Sequence, residues 1–168
     1  GLTIIARIGM VPKWVHPDND DLNNDSLTMN DLVPEHFADF ARFIEAFSRH
    51  YQGQINHIII WNEPNLSFEW GYQPADPENY VNLLKLATPA ARRGNPDITV
   101  LAGALAPTLE PVGSQYGMND LDYLSKLYAL GFADYFDALA VHTYGFKFPP
   151  EDPPGSDMLN FRRIELLR

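Results

Sequence analysis

"IIIWNEPN", residues 58–65, runs four strongly apolar residues into an asparagine, a glutamate, a proline and a second asparagine. Three consecutive isoleucines leave no polar face, which is the mark of a strand buried on both sides, and such strands belong to parallel sheets. The change of character at Trp61 and Asn62 marks where that strand leaves the core. A carboxyl at Glu63 then sits among bulky neighbours, and desolvation favours the protonated form of such an acid. That form can donate to a leaving oxygen. Pro64 fixes its own φ and restricts the residue before it, so the acid is presented in a narrow range of directions. The plainer reading is a glutamate that caps the turn or pairs with a surface arginine.

On either side of this stretch one unit recurs. "LTIIARIG" (2–9) is short, β-branched and bounded by glycine, as a buried strand is. Pro34 opens a segment whose Phe37, Phe40, Ala41, Ile44, Phe47 and Tyr51 share one helical face, ending near Gly53. After the strand at 57–62, Asp76 and Pro77 start a second helix with Tyr80, Leu83, Leu84, Ala87 and Ala91 in a stripe, and Pro89 predicts a kink within it. "DITVLAGALA" (97–106) is a third strand. Asn119 or Asp120 caps a helix carrying Leu121, Leu124, Leu127 and Tyr128, closed by Gly131. "FDALAVHTYG" (136–145) is a fourth strand, and "NFRRIELLR" (160–168) begins another helix.

Four strand-then-helix units in strict alternation predict an α/β chain with a parallel sheet and right-handed crossovers. An open doubly wound sheet and part of an eight-unit barrel both produce that order. No glycine-rich phosphate fingerprint follows any strand, which removes the strongest mark of a nucleotide-binding open sheet. The segments after the strands are long and hold most of the Trp, His, Asn and Pro, whereas the returns ("GQIN", "GNPD", "GFADY") are short. Barrels build their active sites from the long loops on that side. The sequence therefore predicts a fragment, about half, of a (β/α)8 barrel, which as a whole needs about 250 residues. The opening "GLTIIARIGM" reads as a strand already under way with no basic leader, as expected of a chain cut at its start.

Composition narrows the function. The 168 residues are 45% hydrophobic and 12% aromatic, enough for one domain with a real core. With 22 acidic and 12 basic side chains the net charge is −10, which opposes binding to nucleic acid or to anionic membranes. No apolar run approaches the roughly 20 residues of a membrane span. Cysteine is absent, so there is neither a disulfide framework nor thiolate chemistry, and this leaves the compartment open.

Other residues stand out by placement. His142 and Tyr144 lie two apart and so point to the same side of a strand. Trp14, Trp61 and Trp70 follow or end strands on the mouth side, where an indole stacks on a sugar ring or packs under a loop, Trp61 above all the latter. Arg7 alternates with Thr3 and Ile5 near a strand end and, if buried, needs a carboxylate partner. "DNDDLNNDS" (18–26) lacks the glycine and closing glutamate of a calcium loop and reads as a solvated acidic loop. The five histidines have no paired helical spacing, so no metal is expected. Asn24 and Asn65 sit in N-x-Ser sequons that read as chance, since a glycan on Asn65 would block the proposed catalytic loop.

"WNEPN" (61–65) together with "VHTYG" (141–145) resembles the retaining glycoside hydrolases of clan A. The longer context resembles their family 39 and family 5 side: "GLTIIARIGMVPKW" (1–14), "IIIWNEPNLSFEWGYQPADPENYVNLLK" (58–85), "LAGALAPT" (101–108), "FDALAVHTYGF" (136–146) and "PPEDPPG" (149–155). The resemblance implies barrel strands three to six, a general acid/base at Glu63, and an Asn62 that binds the sugar 2-hydroxyl. It implies a His142 and Tyr144 that line the pocket, the tyrosine steadying the nucleophile. Trp14, Trp70 and Arg7 complete the substrate-binding candidates, the substrate being a carbohydrate and no cofactor being needed. The nucleophile of that clan is a glutamate at the end of strand seven, expected beyond this chain, and an arginine from the early strands is expected before it. Glu110 is the nearest carboxylate by topology, but it reads as a loop charge. A carbohydrate-binding scaffold without chemistry, and a half-barrel that pairs with another copy through its open edges, are the rival readings. The oligomeric state is left open.

Overall fold

The computed structural model describes residues 1–16 and 30–168. Four strands, β1 (Ile5–Ile8), β2 (His57–Ile60), β3 (Thr99–Leu105) and β4 (Ala138–Val141), form one sheet in the order β1-β2-β3-β4, every neighbouring pair parallel. Three helices, α1 (Phe37–His50), α2 (Pro77–Gly94) and α3 (Asp120–Ala129), make the crossovers. Strand order that never reverses, joined by crossovers of one hand, puts every helix on the same face. A doubly wound sheet reverses its order and covers both faces. The alternation is therefore that of a barrel wall.

Burial along the strands follows from this. Ile58, Ile60, Val100 and Ala102, all fully buried, alternate with half-buried Ile59 and Leu101. The buried set faces the helices. In register on the opposite face lie Arg7, Ile59, Leu101 and Ala138, a row across all four strands on the side a barrel encloses.

The helices form where the apolar stripes fall. Tyr80, Leu83, Leu84, Ala87 and Ala91 of α2 are all wholly buried. Asp76 caps that helix by accepting from the Asn79 N–H at 3.0 Å, with Pro77 in the first turn, and the helix continues through Pro89 to Gly94. Gly94 is set by packing: a Cβ there would stand 2.3 Å from the Glu45 carbonyl oxygen of α1. Asn119, rather than Asp120, caps α3 through the Leu121 N–H.

Several local expectations are corrected. Each strand is shorter than its apolar run: β1, β3 and β4 begin two or three residues later than expected, and at the other end the ladders stop where the chain turns toward the mouth, so Trp61, Asn62, His142 and Tyr144 lie beyond their strands. Tyr128 is 53% exposed, and Tyr123, wholly buried, takes its place in the core stripe. Tyr123 and Leu127 are one helical turn apart, and that face meets α2. Residues 161–167 form a 3-10 helix instead of an α-helix, with Arg163 turned inward. The acidic stretch 18–26 and the Asn24 sequon lie outside the described residues.

Candidate active site

The site is built at the C-terminal ends of β2 and β4, with the end of β3 as its template. Register between β3 and β4 slips from Ala102↔Leu139 to Leu105↔Val141, so three steps on β3 match two on β4. That one extra residue is a β-bulge. Gly103 sits in it at φ +100°, where a Cβ would lie 2.3 Å from the Ala140 carbonyl oxygen, so only glycine lets β4 come this close. The hydroxyl of Tyr80 spans the gap, donating to the Ile60 carbonyl (2.9 Å) and accepting from the Gly103 N–H (2.7 Å).

Adjacent residues of β3 then hold the two neighbouring chains. The Ala104 carbonyl accepts the Glu63 N–H at 2.9 Å, and the Leu105 carbonyl accepts the His142 N–H at 2.8 Å. The Glu63 carboxylate and the His142 ring, 79 residues apart in sequence, meet across β3 with Oε1 2.5 Å from Nδ1. The glutamate side chain is 14% exposed and the imidazole 29%, so the pair is sheltered yet reachable from the mouth.

The turn that carries Glu63 differs from expectation. Proline at 64 biases its predecessor toward extended backbone. Glu63 instead has φ +42°, and Trp61 has φ +72°. Two non-glycine residues with left-handed φ within three positions are costly, and such backbone concentrates at functional sites. The surrounding bonds over-determine it. Asn65, wholly buried, donates from its side-chain amide to the carbonyls of Ala106 (2.9 Å) and Met118 (3.1 Å) and accepts the Ala106 N–H (2.9 Å). Its backbone carbonyl takes the Met118 N–H, and the Leu66 N–H returns to the Glu63 carbonyl at 2.8 Å. A buried amide with this many partners is unavailable for glycosylation in the folded chain.

Asn62 accepts a hydrogen bond from the Arg7 guanidinium. Arg7 is exposed, so no buried charge has to be neutralised and an amide oxygen serves where a carboxylate was expected. Tyr144, 49% exposed, stands edge-on to His142 with ring centroids 6.0 Å apart, and Phe146 lies against it at 5.7 Å. Their shared side comes from the turn after β4 and not from strand alternation.

The tryptophans divide. Trp61 is 1% exposed, its indole N–H donating to the Glu69 carbonyl at 2.7 Å. Trp70, 8% exposed, is set into the core edge-on to Trp61 and Tyr80, and so joins those rings and not the Glu63 and His142 pair. Trp14, in a 3-10 turn at Lys13–Val15, is 58% exposed and presents its ring beside His36. Glu110 is engaged in its own loop, accepting from the Ser114 hydroxyl at 2.5 Å.

Sequence reasoning missed Tyr80, Asn65, and an ion pair behind the site. Arg163 and Asp120, 2% and 1% exposed, are paired at 2.7 Å, and the guanidinium also donates to the carbonyls of Gly155, Ser156 and Met158. This ties the segment after β4 to the start of α3. A glycine inside an apolar strand run was the one signal for the bulge. For Arg163 the chain offered only a basic residue in a polar helix pattern. Elsewhere burial pushes the Asp31 carboxyl above its ordinary value, with the nearby His16 opposing. Burial also raises the phenols of Tyr80 and Tyr123, which therefore stay neutral donors.

No protein-family model matches the sequence, and no curated protein does. Among solved structures, a family 39 glycoside hydrolase from the gut symbiont Bacteroides cellulosilyticus WH2 superposes with a TM-score of 0.66 at 20% identity, over 96% of this chain and 30% of that one. The fold is a segment of a TIM barrel. A monomeric β-xylosidase from Caulobacter crescentus CB15 is similar over 65% of this chain and 21% of its own, at 24% identity and a TM-score of 0.45. The family 39 enzyme of Xanthomonas axonopodis pv. citri is similar over 65% and 20%, at 22% identity and a TM-score of 0.42. The barrel segment thus spans about a third or less of each solved chain it resembles.

Proposed function

We propose that this chain supplies the acid/base side of a retaining glycoside hydrolase, as the third to sixth βα units of its barrel. The observation that carries this reading is the sheltered Glu63 and His142 contact at the mouth. With a proton on Nδ1, the imidazole donates to Oε1 and leaves Oε2 to face a leaving oxygen. Glu63 protonates that oxygen while a glutamate from outside this sequence attacks the anomeric carbon; Glu63 then acts as base on the water that releases the sugar. The two carboxyls of such an enzyme stand about 5–5.5 Å apart. Asn62, oriented by Arg7, binds the sugar beside the cleaved bond, and Tyr144 and Trp14 offer exposed rings to its apolar faces. The reaction needs only water and a carbohydrate.

The test is Glu63→Gln in the protein extended to a complete barrel. Cleavage of a glycoside with a poor leaving group falls roughly 10²–10⁴-fold, the usual share of general acid catalysis. An activated aryl glycoside keeps its first step, since its leaving group needs no proton. Equal losses on both substrates reject the acid role, and absence of turnover in the unmutated extended protein favours a binding scaffold.

A further inference from the structure

Among the described residues five non-glycine side chains stand on left-handed backbone: Met10, Trp61, Glu63, Tyr72 and Phe146. All five lie in the loops that follow strands, on the mouth side. Trp61 and Glu63 belong to the turn of the candidate acid. Met10, Tyr72 and Phe146 are different, because each is a large hydrophobic side chain and more than half exposed, at 58%, 54% and 65%. Neither local preference nor burial accounts for such a residue, since left-handed φ is costly for any side chain with a Cβ and water opposes the apolar surface. Backbone of this kind gathers at ligand clamps.

Phe146 is the one of the three that ring contacts join to the acid. Its centroid is 5.7 Å from that of Tyr144, which stands 6.0 Å from His142, whose Nδ1 meets the Glu63 carboxylate at 2.5 Å. The backbone fixes its place. The Phe148 N–H donates to the Gly145 carbonyl at 2.9 Å, closing a turn with Phe146 at its first central position. There φ is +47°, while Lys147 at the second position is not left-handed, and turns of this kind usually take glycine at the first. Lys147 does not cover the ring, because its ammonium lies over Phe148, 5.5 Å from the centroid. Phe146 and Tyr144 are tilted by 59° rather than stacked, so a face of the exposed phenyl ring stays open.

An open aromatic face at the edge of a cleft takes a flat partner that is apolar on one side. A pyranose with equatorial hydroxyls is such a partner: its C–H groups form an apolar face, and its hydroxyls remain in water around the rim. Tyr144 faces the sugar at the cleaved bond in the reading above, and the next ring outward meets the next sugar. We propose that Phe146 is the platform for a second sugar unit, so that the substrate is an oligosaccharide or polysaccharide and not the glycoside of a single sugar. The inference rests on the carbohydrate reading above and adds to it a specificity residue and a minimum chain length.

The experiment is an NMR titration of the ¹⁵N-labelled chain with methyl β-glucoside and with cellotriose, whose all-equatorial units present the flattest apolar faces. Methyl glucoside shifts the amides of His142 and Tyr144. Cellotriose also shifts those of Gly145, Phe146 and Lys147, and binds roughly tenfold more tightly, the worth of one further ring face taken out of water. Phe146→Gly brings cellotriose down to the affinity of methyl glucoside and leaves methyl glucoside unchanged. Glycine accepts left-handed backbone, so this variant keeps the turn. Phe146→Trp keeps a ring, and with it the preference for the longer sugar. Equal binding of the two sugars, an unchanged cellotriose titration in Phe146→Gly, or no saturable shift with either sugar overturns the proposal. So does equal weakening of both sugars, which marks a ring that only props Tyr144. Binding needs no turnover. A failed acid test at Glu63 therefore leaves the chain-length preference standing, and a failed titration leaves the acid role standing.

Discussion

Removing one oxygen atom, in Tyr80→Phe, tests how the site is held. The hydroxyl is wholly buried, donates to the Ile60 carbonyl and accepts the Gly103 N–H. In the variant the Gly103 N–H loses its partner in the dry layer between α2 and the sheet. An unsatisfied buried donor costs about 1–3 kcal/mol, so a loss of about 2 kcal/mol is expected. For a chain of 168 residues that corresponds to a drop in Tm of roughly 4–8 °C. Tyr123→Phe is the internal control. It is equally buried, but its hydroxyl makes one long contact, 3.5 Å to the Asp76 carbonyl, so its loss should stay under about 1 kcal/mol. Urea unfolding followed by tryptophan fluorescence reads both, since Trp61 and Trp70 pack beside Tyr80 in sequence of edge-on rings. Equal destabilisation of the two variants, or a Tyr80→Phe midpoint indistinguishable from wild type, refutes the claim that this hydroxyl bridges β2 and the bulge.

Three further outcomes are expected. Asn65→Ala strips three hydrogen bonds from a wholly buried position and should cost about 2–4 kcal/mol, measured by urea titration, while mass spectrometry of the chain expressed through a glycosylating secretory pathway should find no glycan on Asn65. Asp120→Ala leaves the buried Arg163 guanidinium without its counter-charge and should cost about 3–5 kcal/mol, most of which Asp120→Ala with Arg163→Met restores in a double-mutant cycle. At alkaline pH, burial keeps the phenols of Tyr80 and Tyr123 protonated in the fold, while unfolded tyrosine ionises near pH 10. The unfolded state then binds fewer protons, so stability is fully present below about pH 10 and falls above it, and Tyr123→Phe should make that fall shallower in a pH series of urea midpoints.

The fold was legible because one repeated signal carried it. Four apolar β-branched runs alternating with amphipathic helices leave few arrangements, and short returns with long loops after each strand distinguish a barrel wall from a doubly wound sheet. The stripe of α2 was read correctly at all five named positions, and that of α1 at Phe37, Phe40, Ala41 and Ile44, since a wide apolar face admits one orientation against a sheet; Phe47 is half-buried and Tyr51 lies just past the helix. Tyr123 and Tyr128 were confused because α3 is short and tyrosine tolerates both water and core. Trp70 was misplaced for a related reason: an indole near a strand end reads the same whether it lines a cleft or fills the space under a loop.

The candidate site was legible in part. "WNEP" singled out Glu63 and Asn62, and "HTY" singled out His142 and Tyr144, as polar groups where apolar strands end. The contact between Glu63 and His142 was not, because it depends on how far β4 slides along β3, and that offset comes from a single bulge residue. The left-handed backbone at Trp61 and Glu63 was equally hidden, since local preference opposes it and only bonds from Ala104, Asn65 and Met118 hold it.

By itself the sequence determined which segments are strands and helices, which face of each is apolar, and which polar residues stand at the strand ends, because these follow from periodicity and from the cost of burying polar groups. Tertiary structure alone decided which of those residues meet. Contacts between residues 41 to 79 positions apart depend on sheet register, and register is set by bulges and buried side-chain bonds that no local pattern encodes.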